Sequence, residues 1–296
     1  MRKHATRFLG LAVVLAIPPR ITAAKDVDWT SLNPGFQGAT YVNDAAVCFG
    51  CHEGVQKPFE HTAHARAAAA ARIPRGCESC HGPRSTHAEN PDRSLALGVA
   101  QYTAVCTQCH EGGAQAHWRN SAHDSADVGC TSCHTVMRRN SEAALLAEAR
   151  QDAVCYRCHT GVRGMMNRSS HHPVREGKTS CSGCHNPHGS ITAGMLKGGS
   201  VNETCFACHQ EKRGPYVWVH PPVLESCLTC HEPHGSNHRK LLSAKDAFLC
   251  LTCHTYGGHV NLPRYNRVSS PYGEGCVNCH FAVHGSNSPS GAKLTR

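Results

Sequence analysis

Residues 181–189 read CSGCHNPHG: two cysteines three positions apart, a histidine directly after them, and a second histidine three positions further on. The first part, C-x-x-C-H, occurs ten times in the 296 residues and uses all 20 cysteines. The cysteine pairs are Cys48/Cys51, Cys77/Cys80, Cys106/Cys109, Cys130/Cys133, Cys155/Cys158, Cys181/Cys184, Cys205/Cys208, Cys227/Cys230, Cys250/Cys253 and Cys276/Cys279. The histidines that complete the motifs are His52, His81, His110, His134, His159, His185, His209, His231, His254 and His280.

C-x-x-C-H is the attachment sequence of c-type haem. Residues i and i+3 of one helical turn share a face, so the two thiols can form thioethers to one porphyrin while the next residue places its imidazole on the iron. A redox dithiol or structural zinc would explain one such motif. Neither explains ten motifs with a histidine in each and no spare cysteine, so we predict ten covalently bound c-type haems with these histidines as proximal iron ligands.

The composition is typical of a chain organised by cofactors. Aromatic residues make up only 6% of the sequence, and 27 Gly and 16 Pro interrupt regular structure. So few large apolar side chains do not fill a conventional interior at this length. We predict a multihaem cytochrome c fold: mostly irregular coil with short α-helices wrapped around ten haems, little or no β-sheet, and an elongated haem wire. Residues 63–72 and 141–150 are predicted helices.

Residues 1–24 have the pattern of a secretory signal peptide, with basic residues, an apolar run over 8–17 and small residues before Lys25. The run is about half as long as a bilayer crossing requires. We therefore expect an exported decahaem domain, residues 25–296, with no transmembrane helix of its own. The propionates of ten haems would outnumber the positive charge of the chain, so no nucleic-acid partner is expected.

The motifs form an internal repeat of two. Before each odd-numbered motif stands a candidate helix cap, and before each even-numbered motif stands Gly or Ser. The candidate caps are Asp44, Thr103, Asp152, Asn202 and Asp246. We predict five di-haem units, at about residues 44–100, 101–150, 151–200, 201–245 and 246–285, and then a short polar tail.

Histidines outside the motifs are the candidate distal iron ligands. One lies between the two motifs of each unit: His64, His123, His171, His220 and His259. Another follows the even motif in four units: His87, His188, His234 and His284. The shared pattern H-x-P-V at His171 and His220 favours His171 over His172. The second unit has no histidine after His134, so His117 is predicted as the tenth ligand, with His61 as its substitute. Methionine can also bind haem iron, and Met137, Met165 and Met166 lie near motifs.

An iron with two protein ligands has no open position for a substrate, so this supply of histidines favours electron transfer over catalysis. We predict no catalytic residues. Two alternatives stay open at this point: a freely soluble periplasmic electron carrier, and a multihaem reductase enzyme with one open iron.

The stretches HHPV at 171–174, CSGCHNPHG at 181–189 and CLTCHEPHG at 227–235, with the signal peptide and ten motifs, resemble the MtrA, PioA, MtoA and DmsE family of decahaem cytochromes. The resemblance implies a haem wire inside an outer-membrane β-barrel porin of the MtrB or PioB kind. It implies electron conduction between periplasmic or inner-membrane cytochromes and extracellular donors or acceptors, including an extracellular multihaem cytochrome, in iron oxidation or metal reduction. The N-terminal haems would then face the periplasm. After His134 the sequence departs from the repeated H-x-P-H-G form.

These ligands predict that every haem is low-spin. Electron paramagnetic resonance of the fully oxidised protein should show low-spin ferric signals only, because each iron has two imidazole ligands. A high-spin ferric signal would contradict the prediction.

Overall fold

The computed structural model describes residues 27–91, 95–254 and 275–295. The predicted signal peptide and His259 lie outside these ranges. The described chain contains short α-helices joined by turns and 3₁₀ segments. The α-helices are α1 (Trp29–Leu32), α2 (Ala45–Phe49), α3 (Gln56–Glu60), α4 (Ala63–Ala69), α5 (Glu78–His81), α6 (Ser85–Glu89), α7 (Val99–Thr107), α8 (Cys130–Cys133), α9 (Gln151–Tyr156), α10 (Thr160–Met166), α11 (Cys181–Cys184), α12 (Val201–Phe206), α13 (Pro221–Glu225) and α14 (Asp246–Leu251).

In the described ranges no strand forms, and β pairing is limited to isolated bridges such as His134 with Leu146 and His185 with Leu196. The predicted fold class, short helices in irregular coil with little or no sheet, is confirmed at this level. None of the described helices is both long enough and apolar enough to cross a bilayer.

Each of the ten motifs forms the helical turn that its spacing predicts. The backbone N–H of every motif histidine donates to the carbonyl of the first cysteine of its motif, at 2.9–3.0 Å. The turn brings the two cysteine side chains to one face of the helix, and the histidine follows at the end of the turn. The local geometry required for covalent attachment therefore follows from the sequence of each motif.

The odd-numbered motifs begin in the last residues of helices α2, α7, α9, α12 and α14. Only one of the five predicted cap residues caps its helix: the Asp44 carboxylate accepts from the Ala46 N–H at 2.9 Å. Helix α12 is capped instead by Ser200. Asp152 and Asp246 lie in the first turns of α9 and α14. Thr103 and Asn202 lie inside their helices.

Thr103 and Asn202 instead attach the odd helix of a unit to its even motif. The Thr103 hydroxyl accepts from the Cys130 N–H at 3.3 Å, and the Asn202 amide oxygen accepts from the Cys227 N–H at 2.8 Å. In the third unit Gln151 has this role and accepts from the Ser182 N–H at 2.9 Å. Helix and motif are therefore joined within each of these units by a side chain that satisfies the start of the even turn.

The two helices predicted outside the motifs have different outcomes. Residues 63–72 contain α4, capped by the buried Thr62, so this prediction is confirmed except for its last residues. The helix predicted for 141–150 is wrong. The Ser141 hydroxyl donates to the Ala143 carbonyl and accepts from the Leu146 N–H, both at 2.8 Å. Such local bonds compete with helix formation, and they hold this segment as a turn.

Few apolar side chains are buried. Trp29, Phe36, Leu95 and Val105 form one small cluster near the N-terminus. Over the rest of the described chain, loops and helix ends surround a continuous cavity of about 4850 Å³. An interior of this kind has to be filled by something other than side chains.

Gly189 lies where two segments of the main chain pack closely against each other. Its φ is +105°, and a Cβ here would meet the main-chain carbonyl oxygen of His117. Substitution Gly189→Ala should lower the free energy of unfolding of the haem-loaded protein by about 1–3 kcal/mol, in the range of other overpacking changes.

Gly161 is the matched control, since it lies in α10 and a Cβ there has nothing within 4 Å. Gly161→Ala should leave stability unchanged or raise it by up to about 1 kcal/mol. Denaturant unfolding followed by circular dichroism measures both. Equal stability of the Gly189→Ala variant and the native protein would contradict the prediction.

Candidate haem-binding site

The cavity has the size and lining expected for several cofactors side by side. Single-ligand pockets usually measure about 300–1,000 Å³, and this cavity measures about 4850 Å³. It is lined by nine of the ten motif histidines, all except His52, and by most of the motif cysteines. The lining therefore fits covalently attached haem.

The first motif is where the structure departs from the predicted set of attachment residues. Cys51 and His52 are exposed, and both lie outside the lining of the cavity. Three other predicted attachment cysteines also lie outside the lining: Cys48, Cys77 and Cys158. Cys51 differs from its counterparts because no earlier motif of this sequence packs against it. Its motif turn is formed all the same, so attachment of a haem at Cys51 stays a prediction that the cavity does not support.

The spacing of the histidine rings provides an independent test. A metal–imidazole bond is about 2 Å long, and the ring centroid lies about 1 Å further, so two imidazoles on one metal have centroids about 6 Å apart. Eight pairs of histidines, each containing one motif histidine, have centroids 5.9–6.4 Å apart. The pairs are His52/His87, His110/His64, His134/His188, His159/His123, His185/His234, His209/His172, His231/His284 and His254/His220.

These pairs follow two rules. A histidine between the two motifs of a unit pairs with the odd motif of the next unit, as His64 does with His110. A histidine after an even motif pairs with the even motif of the preceding unit, as His188 does with His134. His87 is different, because it pairs with His52 of its own unit. The sequence predicted which kinds of histidine take part but assigned none of these partners.

The ring geometry favours His172 over the predicted His171. The His172 ring lies 6.4 Å from that of His209, and its Nδ1 donates to the Pro233 carbonyl at 2.6 Å. His171 uses both ring nitrogens elsewhere, on the Arg168 carbonyl at 2.8 Å and the Glu176 carboxylate at 3.2 Å. Both hydrogen bonds raise the pKa of His171, and the bond to the Arg168 carbonyl contributes most. The H-x-P-V pattern describes the turn that follows the histidine, and it does not determine the direction of the histidine ring.

His117, predicted as the tenth ligand, forms no ring pair with a motif histidine among the described residues. Its side chain is exposed, as is that of its substitute His61. His259 falls outside the described residues. The candidate methionines Met137, Met165 and Met166 are half-buried or buried. Met137 stands three residues after His134, where the repeats have His188 and His234.

Main-chain carbonyls orient the histidines of four even motifs. The Nδ1 of His134, His185, His231 and His280 donates to the carbonyls of Ala144, Gly194, Lys240 and Lys293, at 2.7–2.9 Å. A donor bond at Nδ1 fixes the tautomer and leaves Nε2 as the free ligand atom. These rings are therefore preorganised to bind iron through Nε2.

His81, the even motif of the first unit, has a different partner. Its Nδ1 lies 3.3 Å from the Tyr102 hydroxyl, and the two rings are nearly perpendicular, with centroids 6.1 Å apart. Tyr102 was not among the residues predicted from the sequence. The missing histidine after His134 concerns the other side of the ring, because it leaves the second rule without a partner for His81.

Burial keeps several distal histidines in the form that binds metal. It is the largest cause that lowers the pKa values of His64, His188, His220, His234 and His284, and neighbouring histidines lower them further. Neutral imidazole is the form that coordinates iron. The buried Nδ1 atoms of His64 and His188 have no protein partner among the described residues.

The motif thiols show which motifs are neighbours. The Cys106 and Cys130 thiols hydrogen-bond each other, which raises the pKa of Cys106 and lowers that of Cys130 to about 6. Within every unit the first cysteines of the two motifs interact: Cys48/Cys77, Cys106/Cys130, Cys155/Cys181, Cys205/Cys227 and Cys250/Cys276. Between units the second cysteines interact: Cys80/Cys109, Cys133/Cys158, Cys184/Cys208 and Cys230/Cys253. Each motif therefore adjoins the next one along the chain.

The fold and this site define a multihaem c-type cytochrome. The doubled CXXCH motif family matches residues 123–164, 171–214 and 220–259. The multiheme cytochrome MtrA of Shewanella baltica is 39% identical over 236 residues, which cover 74% of this chain and 70% of the relative. The chain belongs to the MtrA family of multihaem cytochromes.

More distant similarity extends to larger cytochromes. The C-type polyheme cytochrome OmcB of Geobacter sulfurreducens is 26% identical over 238 residues, 67% of this chain and 28% of OmcB. The high-molecular-weight cytochrome c of Nitratidesulfovibrio vulgaris is 25% identical over 185 residues, 60% of this chain and 32% of that protein. The chain thus spans about a third or less of these two cytochromes.

The adjacent histidines 171 and 172 offer a matched test of the ring pairs. His172→Ala should remove the sixth ligand of the haem at His209 and convert that haem to high spin, since no second imidazole faces its iron. His171→Ala should leave the spin states unchanged. Electron paramagnetic resonance of the oxidised variants measures both, and high spin in the His171→Ala variant alone would refute the assignment.

Proposed function

We propose that this cytochrome carries ten haems and conducts electrons along the order of its motifs, as a conduit across the outer membrane. The observation that supports it best is the alternating electrostatic interaction between motif thiols. Nine such interactions, five within units and four between them, link the ten motifs in the order of the sequence. Thioether positions that adjoin in this way favour a continuous row of neighbouring cofactors.

When bound, each haem supplies a one-electron ferric–ferrous couple. The residues of the chain hold and insulate that couple. The motif cysteines would attach the porphyrin, and the motif histidine together with a histidine from another segment would bind its iron. At the eight motifs with a ring pair, no coordination position would be left open for a substrate. This arrangement supports an electron-transfer protein rather than an enzyme.

The proposed assignment of distal ligands follows the ring pairs. It comprises His64, His87, His123, His172, His188, His220, His234 and His284. Among the five units of this sequence, the pairing rules give neither His259 nor His280 a partner, and we propose His259 as the ligand for the haem at His280. The sixth ligand of the haem at His81 is not assigned.

The location follows from the signal peptide pattern and the family. A chain with a predicted export signal reaches the periplasm. A polar row of haems can cross lipid only inside a closed structure that satisfies its own backbone, and a β-barrel does so. We therefore propose an outer-membrane β-barrel porin as the partner. Periplasmic or inner-membrane cytochromes would serve one end of the row, and extracellular donors or acceptors, including a multihaem cytochrome, the other.

The test is conduction across a vesicle. The cytochrome, purified in detergent from its own host with the barrel that accompanies it, is inserted into liposomes that enclose a redox dye, and a reductant is added outside. The dye should change its redox state only when the complex is present. Recovery of all the cytochrome as a free periplasmic protein, with no barrel, would refute the conduit and favour a soluble carrier.

An interrupted row is the decisive variant. Removal of the central attachment by Cys155→Ala with Cys158→Ala should abolish conduction, because the fourth and sixth motifs then lose the cofactor between them. His171→Ala, which lies in the same region but outside the ring pairs, should conduct normally. Haem staining and barrel recovery establish that both variants assemble. Undiminished conduction in an assembled double cysteine variant would contradict the proposal.

A further inference from the structure

The haem site at Cys77–His81 differs from the other even motifs in what holds its histidine. At the four later even motifs a main-chain carbonyl accepts from the histidine Nδ1, at 2.7–2.9 Å. At His81 the neighbouring group is the phenol of Tyr102, with an O···N distance of 3.3 Å. A side chain has replaced a main-chain acceptor, and the bond is longer.

The reason lies in the path of the chain after His81. Gly82 follows with a φ of +78°, and a Cβ there would meet the rings of Trp29 and Phe36. The chain then enters α6 at Ser85, whereas the later even motifs are followed by turns that return a carbonyl to the histidine. Among the described residues of the first unit, no main-chain carbonyl accepts from His81, and helix α7 supplies Tyr102 in its place.

Tyr102 is well placed for this role. It lies one turn before Cys106 in α7, and α7 packs against both α5 and α8. The Arg84 side chain interacts electrostatically with both His81 and Tyr102, and its guanidinium lies 5.2 Å from the Phe36 ring centroid. The Tyr102 phenol is a neutral hydroxyl that can both donate and accept a hydrogen bond.

With Nε2 bound to iron, His81 would carry its proton on Nδ1 and would donate a hydrogen bond to the Tyr102 oxygen. A hydrogen-bond acceptor at Nδ1 increases the basicity of the imidazole and stabilises ferric iron. A neutral phenol at 3.3 Å does this less than an amide carbonyl at 2.7–2.9 Å. The nearby guanidinium also favours the reduced iron, since a cation opposes the added positive charge of the ferric state.

We infer that Tyr102 is a positioning residue for the haem at Cys77–His81, which orients His81 and sets the reduction potential of that haem above those of the other even-motif haems. The inference deepens the proposed electron-transfer function and rests on it only for the presence of a haem at this motif. It gives the second cofactor of the row a distinct potential. It requires neither a barrel partner nor a direction of electron flow.

Two substitutions at Tyr102 test it in the purified haem-loaded protein. Tyr102→Phe removes the acceptor and should raise the midpoint potential of one haem in ten. Tyr102→Gln offers an amide oxygen, the acceptor found at the other even motifs, and should lower the potential of the same haem. A spectroelectrochemical titration measures the potentials, and the electron paramagnetic resonance g-values of that one haem should change in both variants.

Tyr41→Phe is the control, because the Tyr41 hydroxyl lies in the same region and accepts from the Trp29 indole N–H at 2.8 Å and from Arg75 at 3.4 Å. Among the described residues it has no hydrogen bond to a motif histidine. It should leave all potentials unchanged. Opposite shifts for Phe and Gln, confined to one haem, support the inference, since a purely structural role would move both in one direction. Unchanged potentials, equal shifts for Phe and Gln, or shifts spread over many haems would overturn it. Failed vesicle conduction with these shifts intact would refute only the conduit.

Discussion

Two imidazoles that bind one iron must lie about 6 Å apart, and in this chain they come from different segments. Eight such pairs are formed, and seven of them join different units. His64 of the first unit meets His110 of the second, and His188 of the third meets His134 of the second. Under the proposed ligand assignment, each unit would be connected to the next through the cofactors. With so small an apolar cluster, folding and haem binding are one coupled process.

The same constraint accounts for repeated strain in the backbone. After each carbonyl that accepts from an even-motif histidine comes a residue with a left-handed backbone: Leu145, Met195, Leu241 and Leu294, with φ of 49–59°. Such a conformation is unfavourable for residues with a side chain. It recurs because it turns the preceding carbonyl toward Nδ1 of the histidine. Conformational energy is used in four places to preorganise a ligand.

Local features of this structure could be predicted from the sequence, and long-range ones could not. The ten motif turns form because their spacing is a property of five consecutive residues. The fold class followed from the shortage of apolar side chains. The sequence pattern favoured His171, whereas the structure pairs the ring of His172 with that of His209. Which ring faces His209 depends on a segment more than thirty residues away. The segment after Asn140 has helix-forming residues, but the hydroxyl of Ser141 and the ring of His134 hold it as a turn.

The ends of the repeat explain most exceptions to the pairing rules. Among the five units of this sequence, the pairing rules assign no distal ligand to the first odd motif and no motif histidine to His87. His52 and His87 therefore remain for each other, and their rings lie 6.3 Å apart. End effects do not explain His81, because the unit that should serve it is present and carries Met137 in place of a histidine. The Nδ1 side of the same histidine also departs from the pattern through Tyr102. Two independent departures at one histidine distinguish this cofactor site from the repeat around it, in a chain whose other even motifs are built alike.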